Sequence, residues 1–589
     1  MIGLFAVTAA GRAGAAELAR ALGPDAVVVD GPLRPGLERL WPQLDAAVLF
    51  LSTGATVRLI APLLVDKHSD PGVVCVDEAH RFAIALAGGH DRDGGRGGAN
   101  ALAEQVAQVL GATPVVSTAS DSAGATPLDE LVTLLDAAVD GDLAAAGVAL
   151  LDGAPVLLVN PLGFPLPALP PNVSLDGGEP GTWNTPWRIV IDDRTPVVPD
   201  DERTLRLVPR TLTVGIGSVR DVTADAVAAV LDEIVGAGLD PRAVRAFASI
   251  DLKADEQGIL DAVAQHGFFH GSDPAVVPVL QTFTAEQLRG VVVPNPSAVV
   301  EAEVGTPSVS EASALVAAAA HGRPELVLAK VKGDGATVAV ARSRPRGRLA
   351  VVGLGPGAAD LRTPRAEAEL RRASVVVGLD QYVEQVRHLL RAGTEIAETG
   401  LGQESERAAA AVELARAGRA VALIGSGDAG VYAMASPALE QAGDDIEVVG
   451  VPGVTAALAA SAVLGAPLGH DHVLISLSDL HTPWPAILRR VRAAAEGDFV
   501  VCFYNPRSRE RDWQLGAALD VLREHRPAST PVGAVRQISR DGERAWTAPI
   551  GEFDPTTVDM LTTVLVGSST TAMVGGRMVT PRGYAWMPG

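Results

Sequence analysis

Four stretches within residues 349–589 join an apolar run to a turn able to hold a ligand. Leu349 to Gly357 reads LAVVGLGPG, with Gly353, Gly355 and Gly357 separated by single residues. Val421 to Ile424 leads into Gly425-Ser426-Gly427-Asp428-Ala429-Gly430-Val431-Tyr432, and Val448-Val449 leads into Gly450-Val451-Pro452-Gly453-Val454-Thr455-Ala456. The fourth, Phe499 to Asn505, reads FVVCFYN and stops before Pro506. Glycine at such places lets the main chain turn tightly and approach a ligand closely. The spacing in the first loop is not GxGxxG, which argues against a nicotinamide or flavin site. Singly, each loop is also what a plain strand–turn looks like. Together they follow strands of one α/β unit, and ligands bind outside the carboxyl ends of such strands.

Other chemistry-bearing residues lie further upstream. Gly88-Gly89-His90 opens a run that ends in Gly97-Gly98-Ala99-Asn100, just before a helical pattern. Free amides in glycine-rich turns and at a helix N-terminus favour an anion, a carboxylate for instance. A solvent loop is the alternative. Lys253, Asp255 and Glu256 sit at a strand-to-helix junction. They either bind substrate or start a helix with favourable negative charge. Cys75 and Cys502 are far apart and belong to no metal spacing, so they are expected to be reduced structural thiols, with no metal held by the chain. No GxSxG nucleophile elbow is present.

These residues need elements to position them, and the composition supplies them. The 589 residues suggest about three to five domains. With 48% apolar and 20% charged residues the chain is globular. A net charge of 48 − 70 = −22 disfavours nucleic acid as a partner. An anionic ligand would need a local basic or amide-lined site. No uncharged apolar stretch reaches about 18 residues, so no membrane span is expected. The N-terminus starts directly with the apolar run Ile2 to Val7 and lacks a basic n-region, so a cytoplasmic protein is expected.

Apolar strand-like runs alternate with helical patterns, which indicates a multidomain α/β protein. Ala46 to Leu51 and Val73 to Val76 read as buried strands, and Leu102, Val106, Val109 and Leu110 share a helical face. Residues 141–210 show short apolar runs, Val148 to Leu151 among them, around a stretch 160–188 that holds seven prolines. They read as a small β-rich module with one long loop. From Thr211 the α/β pattern resumes. Thr223 is placed as a helix N-cap, and Thr284 with Gln287 has capping-box spacing. The basic run Arg342 to Arg348 reads as a linker. The expected domains are thus 1–125, 126–210, 211–342, a linker 343–348, and 349–589, the last divided near residue 465.

The four loops in their order resemble the tetrapyrrole methylase family. The resemblance implies a fold of two α/β domains with S-adenosylmethionine in the cleft between them. It places Pro356 in the first loop near the cleft floor, and Ser426, Gly427 and Asp428 at the methionine and ribose portion of the cofactor, with Val431 on the same turn. Thr455 and Ala456 match the small pair beside the cofactor, and Asn505 falls near the adenine. The segments GSGDAGVYAMA (425–435), Ser476 to Leu480 with Thr482-Pro483-Trp484, and FYNPRSR (503–509) resemble the precorrin-3B C-17-methyltransferase branch. Members of that branch methylate C-17 and contract the ring, forming precorrin-4. The rearrangement benefits from proton transfer, so a general acid or base is expected. His470, Asp471 and Asp479 are the candidates; a capping role for Asp479 and a structural one for His470 are the alternatives. Family members are commonly homodimers.

STGATVRLIAPLL (52–64), the stretch 97–121, ASIDLKADE (248–256) and the stretch 294–315 resemble the cobalt-precorrin-5A hydrolase family. That resemblance implies lactone opening with release of acetaldehyde, and it points to His90 and Asn100. Six residues, Asp91 to Arg96, separate His90 from the GGAN run, whereas the family brings the two close together. The sequence therefore reads as a bifunctional enzyme acting on a precorrin or cobalt-precorrin macrocycle. A methyltransferase carrying a non-catalytic macrocycle-binding module is one alternative, and a methylase for another tetrapyrrole is the other.

Overall fold

The computed structural model describes residues 1–65, 69–88, 98–117, 124–175, 186–197, 200–271, 278–398, 404–508 and 511–583. The chain separates into two compact units, one comprising most of residues 1–346 and the other most of residues 347–589.

The first unit contains three sheets, each built where apolar runs are flanked by helices. The N-terminal sheet has six strands in the order Ala26–Val28, Ile2–Ala6, Ala46–Phe50, Gly72–Val76, Phe82–Ala87, Thr113–Val115. The central strands Ala46–Phe50 and Gly72–Val76 are buried on both faces. That explains their unbroken apolar sequence. The helix Ala99–Leu110 turns Leu102 and Val106 into this core and ends at Gly111, whose φ of +66° suits a left-handed cap.

The second sheet orders Ala137–Asp140, Thr204–Pro209, Trp187–Ile191, Val156–Val159, Val173–Leu175. Two expectations need correction here. Val148 to Leu151 is not a strand but the end of the helix Leu143–Leu151, which Asp142 caps by accepting from the Ala145 amide at 2.9 Å. A short continuous apolar run does not itself distinguish strand from buried helix. The proline-rich stretch is also not one uninterrupted loop, because Val173–Leu175 pairs in parallel with Val156–Val159.

The third sheet orders Leu280–Phe283, Val244–Ile250, Leu212–Ser218, Ala336–Arg344, Arg323–Lys332. Its first three strands are parallel and the last two join as an antiparallel hairpin. Thr223 caps the helix Ala224–Leu231 through the Ala226 amide, and Thr284 and Gln287 form the reciprocal capping box.

The boundary between the two units, after residue 346, falls inside the expected linker, but the basic run is structured. The strand Ala336–Arg344 is followed by the strand Gly347–Gly353, leaving only residues 345 and 346 between them. Arg342 is 3% exposed and makes a two-pronged ion pair with the fully buried Asp193, at 2.5 and 2.7 Å. A planar guanidinium matches a carboxylate in this way, so this arginine closes the core rather than spacing it.

The second unit begins with an all-parallel sheet in the order Glu395–Glu398, Val375–Gly378, Ala420–Gly425, Gly347–Gly353, Ile446–Val451. A mixed sheet follows, in the order His472–Ser476, Val500–Tyr504, Thr562–Val566, Pro531–Arg536, Arg544–Pro549. Gly465–Ala466, Arg577–Val579 and Ala572–Val574 form a small third sheet. Among the described residues, no helix is long and apolar enough to cross a membrane.

Candidate functional site

The glycine loops meet at the carboxyl ends of the parallel strands. Gly353 and Gly425 are paired at the last register position of their strands. Beyond them the Gly427 amide donates to Gly355 O at 2.7 Å, and the Gly355 amide returns the bond to Gly427 O at 3.1 Å. This exchange requires left-handed backbone, φ +77° at Gly355 and +70° at Gly427. Gly453 of the third loop lies so close that a Cβ there would sit 2.2 Å from Gly427 O and 2.7 Å from Gly353 O. Three loops are thereby held at backbone contact.

Asp428 fixes the second loop to the third. One carboxylate oxygen accepts from the Gly430 amide at 2.8 Å and the other from the Gly453 amide at 3.1 Å. Hydrogen bonds to an ionised acceptor are about twice as strong as neutral ones. Arg540 makes a second clamp, donating from Nε to Pro356 O at 2.8 Å and from Nη2 to Ser426 Oγ at 2.9 Å.

The fourth loop contributes aromatic hydroxyls. Tyr504, at the end of Val500–Tyr504, accepts from the Ala457 amide at 2.9 Å and shares a short hydrogen bond with Thr455. Its ring lies 5.3 Å from that of Tyr432, whose hydroxyl donates to Leu474 O at 2.7 Å. Burial pushes both phenols above the ordinary tyrosine range, so both remain protonated at neutral pH. Asn505 donates to Ser476 Oγ at 3.1 Å, and its own carbonyl accepts from Arg511 at 2.8 Å.

One cavity is lined by Pro356, Ser426, Gly427, Asp428, Val431, Thr455, Ala456 and Asn505 together. The same walls hold Tyr432, Tyr504, Gln381, Gln537, Arg540 and residues 560–563, which the sequence reading missed. A signal for some of them lies in the backbone. Eight non-glycine residues among those described have positive φ, and Tyr432, Asn505 and Gln537 of this cavity are three of them. Such conformations cluster where the surrounding structure enforces them for function. Arg540 had no such signal, since it lies 184 positions after Pro356.

The expected acid–base residues are placed differently. His470 and Asp471 are exposed, with side-chain exposures of 59% and 79%, and they pair with each other at 3.4 Å. They line a separate depression with Asp498 and Arg582 and do not reach the loop cavity. The reason is topological, because they precede the strand His472–Ser476 whereas the cavity lies beyond the carboxyl ends. Asp479 follows that strand. It accepts from Gln514 at 3.1 Å and pairs with Arg511 at 3.7 Å, the arginine that holds Asn505 O. It therefore supports the cavity wall from behind. Asn100 is in the first turn of Ala99–Leu110. His90 lies outside the described residues. No group of three or more His, Cys, Asp or Glu that could hold a metal occurs among the described residues.

Lys253 and Glu256 form an ion pair at 2.9 Å, with Glu256 at the N-cap of the helix Gln257–His270. Asp255 is an exposed partner of Arg220.

The cavity carries one carboxylate, one guanidinium and two phenol rings tilted at 54° to one another. That donor set suits a mid-sized zwitterion with an aromatic portion. Residues 348–554 match the family described as Tetrapyrrole (Corrin/Porphyrin) Methylases. Residues 36–121 match the Cobalamin synthesis G N-terminal family and residues 212–341 the Cobalamin synthesis G C-terminus family. A Salmonella typhimurium protein named "Probable cobalt-factor III C(17)-methyltransferase" is 48% identical over 242 residues, 40% of this chain and 99% of its own length. A Sinorhizobium protein named "Precorrin-3B C(17)-methyltransferase" is 42% identical over 249 residues, 41% of this chain and 98% of its own. "Cobalamin biosynthesis protein CbiHC" of Archaeoglobus fulgidus is 40% identical over 242 residues, 41% of this chain and 53% of that longer protein. The second unit is thus an α/β transferase domain with a cavity at the carboxyl edge of a parallel sheet. The chain belongs to the tetrapyrrole methylase family.

Proposed function

We propose that the chain is a bifunctional enzyme of corrin-ring biosynthesis. Residues 349–589 methylate C-17 of a precorrin-3B-type macrocycle with ring contraction, using S-adenosylmethionine. Residues 1–342 carry a cobalt-precorrin-5A hydrolase-like activity. The observation that carries the first part is the single cavity lined by all eight residues named from the glycine loops. The names of the relatives that the chain covers almost end to end support the reaction.

The cavity fits that cofactor. Arg540 Nη1 makes no hydrogen bond among the described residues and suits a carboxylate, while Asp428 offers negative charge near a cation. Tyr432 and Tyr504 supply a surface for an adenine ring. When bound, the cofactor supplies an already activated methyl group on a positive sulfur. The protein's task is then orientation and exclusion of water. Backbone contact among Gly353, Gly427 and Gly453 fixes the loops, Arg540 ties the first to the second and Asp428 the second to the third. Asp479 steadies Asn505 through Arg511 and acts as a positioning residue.

On this reading the enzyme is a cytoplasmic homodimer. Titration of the full chain with S-adenosylmethionine, with and without Asp428→Ala, tests the site. The variant leaves two loop amides without their acceptor, so weaker binding is expected; unchanged affinity would refute the assignment.

A further inference from the structure

The chain contains only four lysines, Lys67, Lys253, Lys330 and Lys332, and otherwise uses arginine for its cations. Three of the four line one cavity of about 530 Å³ in the first unit. Small-molecule sites usually span roughly 300–1,000 Å³. The cavity lies beyond the carboxyl ends of Leu212–Ser218 and Val244–Ile250, where Leu212–Ser218 has a parallel neighbour on one side and an antiparallel one on the other. Open α/β sheets bind ligands at such edges.

The charges do not cancel in place. Arg220 pairs with Asp255, and Lys253 with Glu256. Glu311 is fully buried and accepts from Asn295 and from the Lys330 amide. Lys330 Nζ is held by Asn295 O, and Lys332 has no ion pair among the described residues. Against these two ammonium groups the wall sets only Glu303. The result is a net positive cavity in a chain of net charge −22.

The neutral part of the wall also points to a ligand. Ser218 and Ser310 line the cavity, and the oxygen of each side chain is buried without a hydrogen-bond partner among the described residues. Ser310 is 1% exposed and lies in the first turn of the helix Val309–Ala319. The leading amides of that helix, at Val309 and Ser310, are of the kind that intrahelical bonding leaves without partners. A buried hydroxyl without a partner is uncommon and calls for a further group at the site. Val219, Ile250, Leu252, Val300 and Val304 supply apolar surface around these groups.

We infer that this cavity binds a ligand with at least two carboxylates on a broad apolar body, held by Lys330, Lys332 and the first turn of Val309–Ala319. Lysine suits the task, because its flexible point charge reaches separate carboxylates where a guanidinium fork would fix one geometry. The inference deepens the reading of residues 1–342 as acting on a carboxylated macrocycle and rests on it for the ligand's class, but not on methyl transfer at the other site.

The test uses the full chain and uroporphyrin I, an octacarboxylate macrocycle, as probe. Lysine acetylation is followed site by site by mass spectrometry, with Lys67 as the reference. The expected result is selective protection of Lys330 and Lys332 while Lys67 reacts as before. In Lys332→Ala, half-protection of Lys330 should need about tenfold more probe, and mesoporphyrin, with two carboxylates, should protect less than uroporphyrin. Equal labelling with and without probe, equal protection of Lys67, or an unshifted variant would overturn the inference. S-adenosylmethionine titration of the same sample reports the other cavity separately, so the two readings fail independently.

Discussion

Gly453→Ala tests whether backbone contact among the loops makes the cofactor site. The added methyl would lie 2.2 Å from Gly427 O, 2.7 Å from Gly353 O and 2.8 Å from Gly353 C. All three are backbone atoms, so no side-chain rotation relieves them. The third loop must move away from the first two, and the Gly453 amide then leaves Asp428. Overpacking of this kind costs about 1–3 kcal/mol. If that strain is released by opening the cavity, S-adenosylmethionine affinity falls by between about fivefold and a hundredfold, at tenfold per 1.4 kcal/mol. Isothermal titration of the full chain measures it. Gly450→Ala is the matched control: it is three positions earlier, and an added Cβ there meets nothing within 4 Å. Wild-type affinity in Gly453→Ala, or an equal loss in Gly450→Ala, would refute the argument.

Three further outcomes are expected. Replacing both His470 and Asp471 by alanine should leave methyl transfer within a factor of about two, as for other surface changes, because neither lines the loop cavity; a loss beyond tenfold in a turnover assay would restore them as catalytic candidates. His266, packed against Phe247 and His270, is held down to about 4 chiefly by burial. The folded chain therefore takes up this proton later than the unfolded one as pH falls. Stability of the surrounding core should drop by about 3 kcal/mol between pH 6.5 and 4, read as faster hydrogen exchange in Val244–Ile250. His266→Phe should flatten that dependence, and an unchanged slope would contradict the assignment. Arg342→Ala strands Asp193 in the core and should cost about 3–5 kcal/mol. Calorimetry should show the first unit melting earlier, whereas Arg342→Met with Asp193→Leu should recover most of the loss; a single variant melting like wild type would show that the pair is not structural.

Much of the second unit is legible in the sequence, because glycine after an apolar strand has a narrow meaning. Gly353 and Gly453 stand where backbone must approach backbone, Gly355 and Gly427 where it must turn left-handed, and a parallel sheet places such turns on one edge. His470 and Asp471 lie away from the loop cavity for a related reason. Their residue types suit acid–base chemistry, but their place before a strand puts them at the opposite edge from the loop cavity. Chain order held that information, and residue type outweighed it. Arg540 could not be found this way, since its contacts with Pro356 and Ser426 join distant segments and follow no local pattern. Val148 to Leu151 failed on period alone, because the exposed positions of this helix, Ala144 and Val148, are apolar like its buried ones, so no polar stripe reveals its turn. Arg342 to Arg348 looked like a solvated linker because charge was counted without its partners, Asp193, Glu325, Glu369 and Glu447.

The central claim is methyl transfer to C-17 of a contracting macrocycle. Its most direct test incubates the full chain with a precorrin-3B-type substrate and S-adenosylmethionine carrying a carbon-13 methyl group, followed by NMR of the product. The account predicts the label on C-17 of a ring-contracted product. Label on another ring carbon, or no transfer to this substrate while another tetrapyrrole is methylated, would contradict it.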